Sequence, residues 1–320
     1  MERPKIELYK TRTFSEKLND TIGFMRESWR TQLKYFIYLM LPCSIVLAFF
    51  MNHFWNGYMS MVMSMQDIGS PMSNLGSFLL NMGVMILVFM ASYTLLVALV
   101  FALVRLYRAR EDRLKNLTAD ELKPELMTCL RRSFVLMLAT IVVAIVALLV
   151  FGGLIAAATV LNRALGLVAL VLFYVALLVV GLPMMLVTPI YMLEDDIRII
   201  PAFQKAFHLG FPTWGGIFAV IIILGILASI IQTVTMGPWY ILFIIKMIFT
   251  MSSELDGSFT NSIFFTFGEY VTCVLQCLGM LLSSVLTLLG VTIQYGHAAD
   301  KIDGVGVVEK IEQFDEFDNF

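Results

Sequence analysis

Lys246 and Glu269 are single charges inside long apolar runs. A lone charge at the centre of a bilayer costs at least about 2.5–3.5 kcal/mol on insertion scales. Such a residue either pairs with an opposite charge or lies near an interface and extends its polar tip to water. A proton or ion relay would need several such groups on facing segments, and only these two candidates occur.

The run Glu194-Asp195-Asp196 closes another apolar stretch. It suits a cation or a basic partner. It suits equally a helix stop whose carboxylates favour the positive end of the next helix, by a few tenths to about 1 kcal/mol. Gln232, Thr233, Thr272, Gln276, Ser283 and Ser284 either line a cavity or hydrogen-bond between helices, at about 0.6 kcal/mol per contact. Met59, Met61, Met63 and Met65 alternate, with Met72 and His53 nearby. Thioethers suit Cu(I). In a helix, however, Met59 and Met63 share one face while Met61 and Met65 share another, so the four sulfurs diverge. Cys43, Cys129, Cys273 and Cys277 show no zinc spacing and read as small packing residues.

No phosphate-binding glycine loop, dinucleotide fingerprint or Gly-x-Ser-x-Gly elbow is present, so a non-enzymatic chain without a cofactor or bound metal is expected. The 22 basic and 24 acidic residues provide no global basic field for nucleic acid.

The elements holding these residues follow from composition. Of 320 residues, 59% are hydrophobic and 14% charged. Soluble domains are about 45–50% apolar and about 25% charged, so a water-soluble globule and a disordered chain are both excluded. The first 34 residues are polar and lack a cleavable leader pattern. Six apolar stretches are long enough to span a bilayer, which takes about 20 helical residues. They are Tyr35–Trp55, Phe78–Val104, Phe134–Val160, Ala164–Met192, Trp214–Val234 and Phe264–Thr292. A seventh run, Trp239–Met251, is short and carries Lys246, and is read as an interfacial or re-entrant helix. The fold expected is an all-α polytopic bundle: 1–34 an amphipathic N-terminal segment, 35–296 the bundle, 297–320 an acidic tail that is frayed and solvated.

Basic residues orient the spans. Eight precede the first span, none lies between Tyr35 and Val104, and eight lie between spans two and three. Both termini are therefore expected in the cytoplasm, within an inner-membrane topology.

Three connectors on the basic side carry one-sided apolar stripes. These are Phe14, Leu18, Ile22, Met25, Trp29 and Leu33; then Leu122, Leu126, Leu130 and Phe134; then Ile199, Phe203, Phe207 and Phe211. Each fits an amphipathic elbow lying in the lipid interface, with Trp29, Phe203, Phe207 and Trp214 at headgroup level. Thr118 with Glu121 forms a capping-box pattern, and Pro201 falls in a permitted first turn.

Thr188-Pro189-Ile190, Glu194-Asp195-Asp196, Ala202-Phe203-Gln204-Lys205-Ala206-Phe207, Gly210 and Trp214-Gly215-Gly216 follow one another between two spans. This stretch resembles the integral-membrane module that accompanies some bacterial glycerophosphodiester phosphodiesterases, and its stand-alone six-span relatives. In those, a span ends in a proline and an acidic pair, followed by an Ala-rich short helix and a Gly/Trp start to the next span. Gln294-Tyr295 through Gly306 and Ile311-Glu312 are similar to the end of such proteins in Bacteroides-type bacteria. The resemblance covers roughly residues 130–312 and implies a six-span bacterial inner-membrane module. The phosphodiesterase is a separate soluble α/β barrel with paired histidines and metal-binding carboxylates. This chain has no room for it, so that activity does not carry over. Two roles remain: a scaffold or accessory subunit in envelope processes, with membrane lipids and a membrane or cytoplasmic protein as partners; or a transporter or lipid-handling carrier.

Overall fold

The computed structural model describes residues 5–64, 75–251, 258–308 and 311, and among them every regular element is helical. In chain order these are α1 (Phe14–Glu27), α2 (Trp29–Ser64), α3 (Leu75–Ala109), α4 (Ala119–Leu161), α5 (Arg163–Met184), α6 (Val187–Leu193), α7 (Ile199–Gly210), α8 (Trp214–Met251) and α9 (Ile263–Asp303). Six helical stretches are long and apolar enough to cross a membrane: α2, α3, α4, α5 continued by α6, α8 and α9. The chain is a multi-pass, all-α membrane protein.

The longest helices outrun the apolar windows. The 43 residues of α4 extend about 65 Å at the helical rise, roughly twice a bilayer's hydrocarbon thickness. Residues 239–251 are accordingly no separate dipping segment, and the re-entrant reading is corrected: they continue α8 without a break through Pro238. An interior proline removes one backbone hydrogen bond, yet membrane helices tolerate it where neighbours hold the turn. Here Trp239 lies immediately beyond it. Its indole N–H donates to Asn52 Oδ1 at 3.2 Å, and its ring packs on Trp55 and Phe243.

Two of the three connector stripes lie largely on separate short helices: Phe14 to Met25 on α1, with Trp29 and Leu33 already in α2, and Ile199 to Phe207 on α7, with Phe211 just beyond its end. The second does not: residues 119–134 run straight into the third span as α4. Its start is still set locally, because Glu121 accepts the Thr118 backbone N–H at 3.0 Å. The residues from His297 are also not frayed, since α9 continues to Asp303 with Ala298 and Ala299 fully buried. Residues 312–320 of that tail lie outside the described residues.

The chain forms two compact units. Unit 1 is Met1–Trp29, Val97–Leu224 and Leu286–Phe320; unit 2 is Arg30–Leu96 and Gly225–Val285.

In unit 1 the segment before α1 is held by the polar groups of α3 and α9. The Ile6 N–H donates to Tyr107 Oη at 3.1 Å, and the Lys5 ammonium donates to the Arg108 and Arg110 carbonyls at the end of α3. The Arg12 N–H donates to His297 Nδ1 at 2.9 Å. A Cβ on Gly296 would stand 2.1 Å from the Leu8 carbonyl oxygen, so this backbone-on-helix approach requires glycine. Helices α4 and α5 form a hairpin turned by Asn162, whose Oδ1 accepts the Ala164 N–H at 2.8 Å. Only 6% of the most apolar window in each of these two spans is buried.

Unit 2 has a core of Leu47, Ala48, Trp239, Cys273 and Cys277, flanked by Met51, Trp55, Phe243 and Tyr270. Lipid offers no hydrophobic drive for helix association, so close van der Waals contact at small residues does the work. At Gly279, an added Cβ would lie 1.9 Å from Thr235 Oγ1.

Candidate functional site

In unit 1 two of the three carboxylates of the acidic turn after α6 are engaged from inside the protein. Asp195 receives a two-pronged hydrogen bond from Arg105, Nη1 to Oδ1 at 2.7 Å and Nη2 to Oδ2 at 3.0 Å. That fork matches a planar carboxylate, the strongest geometry available to such a pair. Arg132 lies 3.6 Å from the same carboxylate. Its guanidinium donates to the carbonyls of Tyr191, Glu194 and Asp195 and stacks over the Tyr191 ring. Two arginines from α3 and α4 thus satisfy the orphan carbonyls at the C-terminus of α6, where a cation is favoured. Glu194 pairs with Lys205 of α7 at 2.8 Å and accepts the Tyr295 hydroxyl of α9. Asp196 is exposed. For Glu194 and Asp195 the cation is therefore already supplied by the chain. The basic residues did appear in the sequence, but only as orientation signals, because a pairing ninety residues apart leaves no local trace.

In unit 2, Lys246 Nζ donates to Glu269 Oε2 at 2.7 Å. The Glu269 side chain is 5% exposed and that of Lys246 21%. The pair forms part of the wall of an open cavity of about 520 Å³, whose other polar groups include Asn52, His53, Asn56 and Asn261. Phe49, Phe267 and Tyr270 supply aromatic walls, and the Tyr270 hydroxyl donates to the Ile45 carbonyl at 2.8 Å. The asparagines carried no periodic signal and were missed in the sequence. Gln276 is buried with its Oε1 unpartnered, and Gln232 is half-buried; neither lines this cavity. Among the described residues no cluster of His, Cys, Asp and Glu could hold a metal. Met65 and Met72 lie outside the described residues.

Of the interfacial candidates Trp29 is exposed, and Phe203, Phe207 and Trp214 are half-buried. Phe14 and Ile22 of α1 and Trp29 at the start of α2 are exposed, while the buried residues of α1 include Lys17, Thr21 and Phe24, roughly a quarter turn away. In α7 the buried residues are Ala202, Ala206, Leu209 and Gly210; Phe203 and Phe207 are half-buried and Phe211 is exposed. Trp214 is half-buried, stacks on Phe218 and donates to the Val179 carbonyl at 3.3 Å.

The buried face of α1 contains a charge, Lys17, which lies outside the apolar stripe. Burial pulls the Lys17 ammonium down to about 8, and repulsion from Lys301 and Arg12 adds to the effect. Arg12 itself is committed to Asp20 at 2.6 Å.

The chain matches no family model, no characterised protein and no solved structure.

Proposed function

We propose that the chain is a non-enzymatic scaffold or accessory subunit of a bacterial inner membrane, with both termini in the cytoplasm. The observation that carries this reading is the α4–α5 hairpin. Its two spans pack chiefly on each other and leave broad apolar faces, including Val142, Ile145, Leu172 and Val175, uncovered by the rest of the chain. Glu194, Asp195 and Glu269 are drawn into internal ion pairs, while this hairpin presents surface to lipid and to a protein partner. The orientation rests on the eight, none and eight distribution of basic residues, and the bacterial setting on the resemblance of residues 130–312 to a six-span module.

The test places a photoreactive side chain at Val142 or Leu172 in native membranes, with buried Val100 as control. A discrete protein adduct at the first two positions and none at Val100 is expected. Adducts with lipid alone would remove the scaffold reading.

A second reading, a carrier or transporter of polar or lipid-borne solutes, is favoured by the unit 2 cavity with its Lys246–Glu269 wall. A solute whose uptake is lost in Glu269→Gln at normal expression would replace the first reading with this one.

A further inference from the structure

We propose that Lys17, Gln294 and the first turn of α8 form a binding site for a single anionic phosphate group. Gln294 is 1% exposed, and neither its Oε1 nor its Nε2 has a hydrogen-bond partner. A buried amide left unsatisfied is costly, so this one is a strong donor and acceptor in waiting. Lys17 is 5% exposed, and its ammonium has no hydrogen-bond or ion-pair partner among the described residues. The carboxylate one turn along, Asp20, is taken by Arg12.

Both side chains converge on one point. A Cβ built on Gly216 would lie 3.2 Å from Gln294 Nε2 and 3.4 Å from Lys17 Nζ. Gly216 is in the opening turn of α8. There the Trp214 N–H is used by the Phe211 carbonyl and the Ile217 N–H by that of Thr213, leaving the amides of Gly215 and Gly216. A helix start with free N–H groups and a positive dipole end attracts anions, and the missing side chain of Gly216 is what lets Gln294 and Lys17 reach this turn. The donors therefore come from three helices, α1, α8 and α9, and outnumber the acceptors. That suits an oxyanion with several acceptor oxygens. A phosphate could come from a phospholipid headgroup, which exposed Phe14 and Ile22 of α1 and the adjoining Trp29 would bring near, or from solution.

The experiment measures thermal unfolding of the full-length protein in neutral detergent without phosphate. Inorganic phosphate is titrated at constant ionic strength against chloride. In a separate arm, phosphatidylglycerol is added as mixed micelles, with retained lipid counted by native mass spectrometry. Wild type is expected to gain several degrees in a saturable manner. Lys17→Gln should weaken the response at least tenfold. Gly216→Ala, which places a methyl group at the convergence point, should do the same and decides the matter if Lys17→Gln does not fold. A response to inorganic phosphate identifies a soluble anion as sufficient; a response to phosphatidylglycerol alone identifies the lipid headgroup. Equal responses in wild type and both variants, or no response in wild type to either probe, would overturn the proposal.

Discussion

The Lys246 ammonium meets the Glu269 carboxylate at 2.7 Å, one near the end of α8 and the other near the start of α9. Removing one partner leaves the other charge uncompensated in a mostly buried position. Lys246→Met is therefore expected to destabilise the protein by about 2–3 kcal/mol, below the fully buried range because the lysine retains some solvent. Adding Glu269→Gln should recover part of that loss. The check is a double-mutant cycle on thermal stability, and zero coupling would remove the pair as a structural element.

The two arginines that close α6 should behave differently. Arg132→Ala strips hydrogen bonds from the Tyr191, Glu194 and Asp195 carbonyls and is expected to cost about 2–3 kcal/mol. Arg105→Lys keeps the charge but replaces a fork with a point donor, and should cost about 1 kcal/mol. Unfolding midpoints should rank wild type above Arg105→Lys and that above Arg132→Ala; the reverse order would mean that carbonyl capping contributes little.

Lys17 gives stability a pH dependence of definite sign. Its folded value of about 8 lies below the ordinary 10.5, so the folded form releases its proton first. Below pH 8 the charge is present in both states and its burial cost is fully felt. Between pH 8 and 10.5 the cost fades and stability rises. In phosphate-free buffer, Lys17→Met should therefore be the more stable protein at pH 7 by roughly 1–2 kcal/mol, allowing for solvent screening at the tip. The gap should close by pH 10.5. A constant gap across that range would contradict the assignment.

The spans were legible because about twenty apolar residues in a row have few other uses. Their ends were not. Lys246 and Pro238 made Trp239–Met251 look like a separate piece, whereas α8 is continuous past the proline, where Trp239 bonds to Asn52, 187 residues away in sequence. The Leu122, Leu126, Leu130, Phe134 series looked like a discrete elbow. A strict spacing of four drifts by about 40° per step on a helix, so the row passes from buried Leu122 to exposed Phe134 as α4 continues. Pairing of Lys246 with Glu269 was foreseeable, since two isolated charges in apolar runs have few alternatives. The grip of Arg105 and Arg132 on the acidic turn was not, because both arginines already had a use as orientation signals. Lys17 and Gln294 were hidden for a related reason: which face of α1 is buried depends on the segment before it docking on α9, through Gly296 and His297.

The exposed stripe of α1 should lie among lipids. A nitroxide at Ile22 is expected to be more accessible to oxygen, which partitions into the bilayer, and one at Asn19 to a water-soluble nickel reagent. Equal preference for the nickel reagent at both positions would place α1 in water.

The account depends most on six crossings with the basic connectors on one side. Single cysteines at Ser60, at the far end of α2, and at Lys115, between α3 and α4, test this in intact cells with a membrane-impermeant thiol reagent, on a background lacking the four native cysteines. Labelling at Ser60, with Lys115 protected until the cells are opened, is the expected result. Labelling of Lys115 in intact cells would contradict the arrangement.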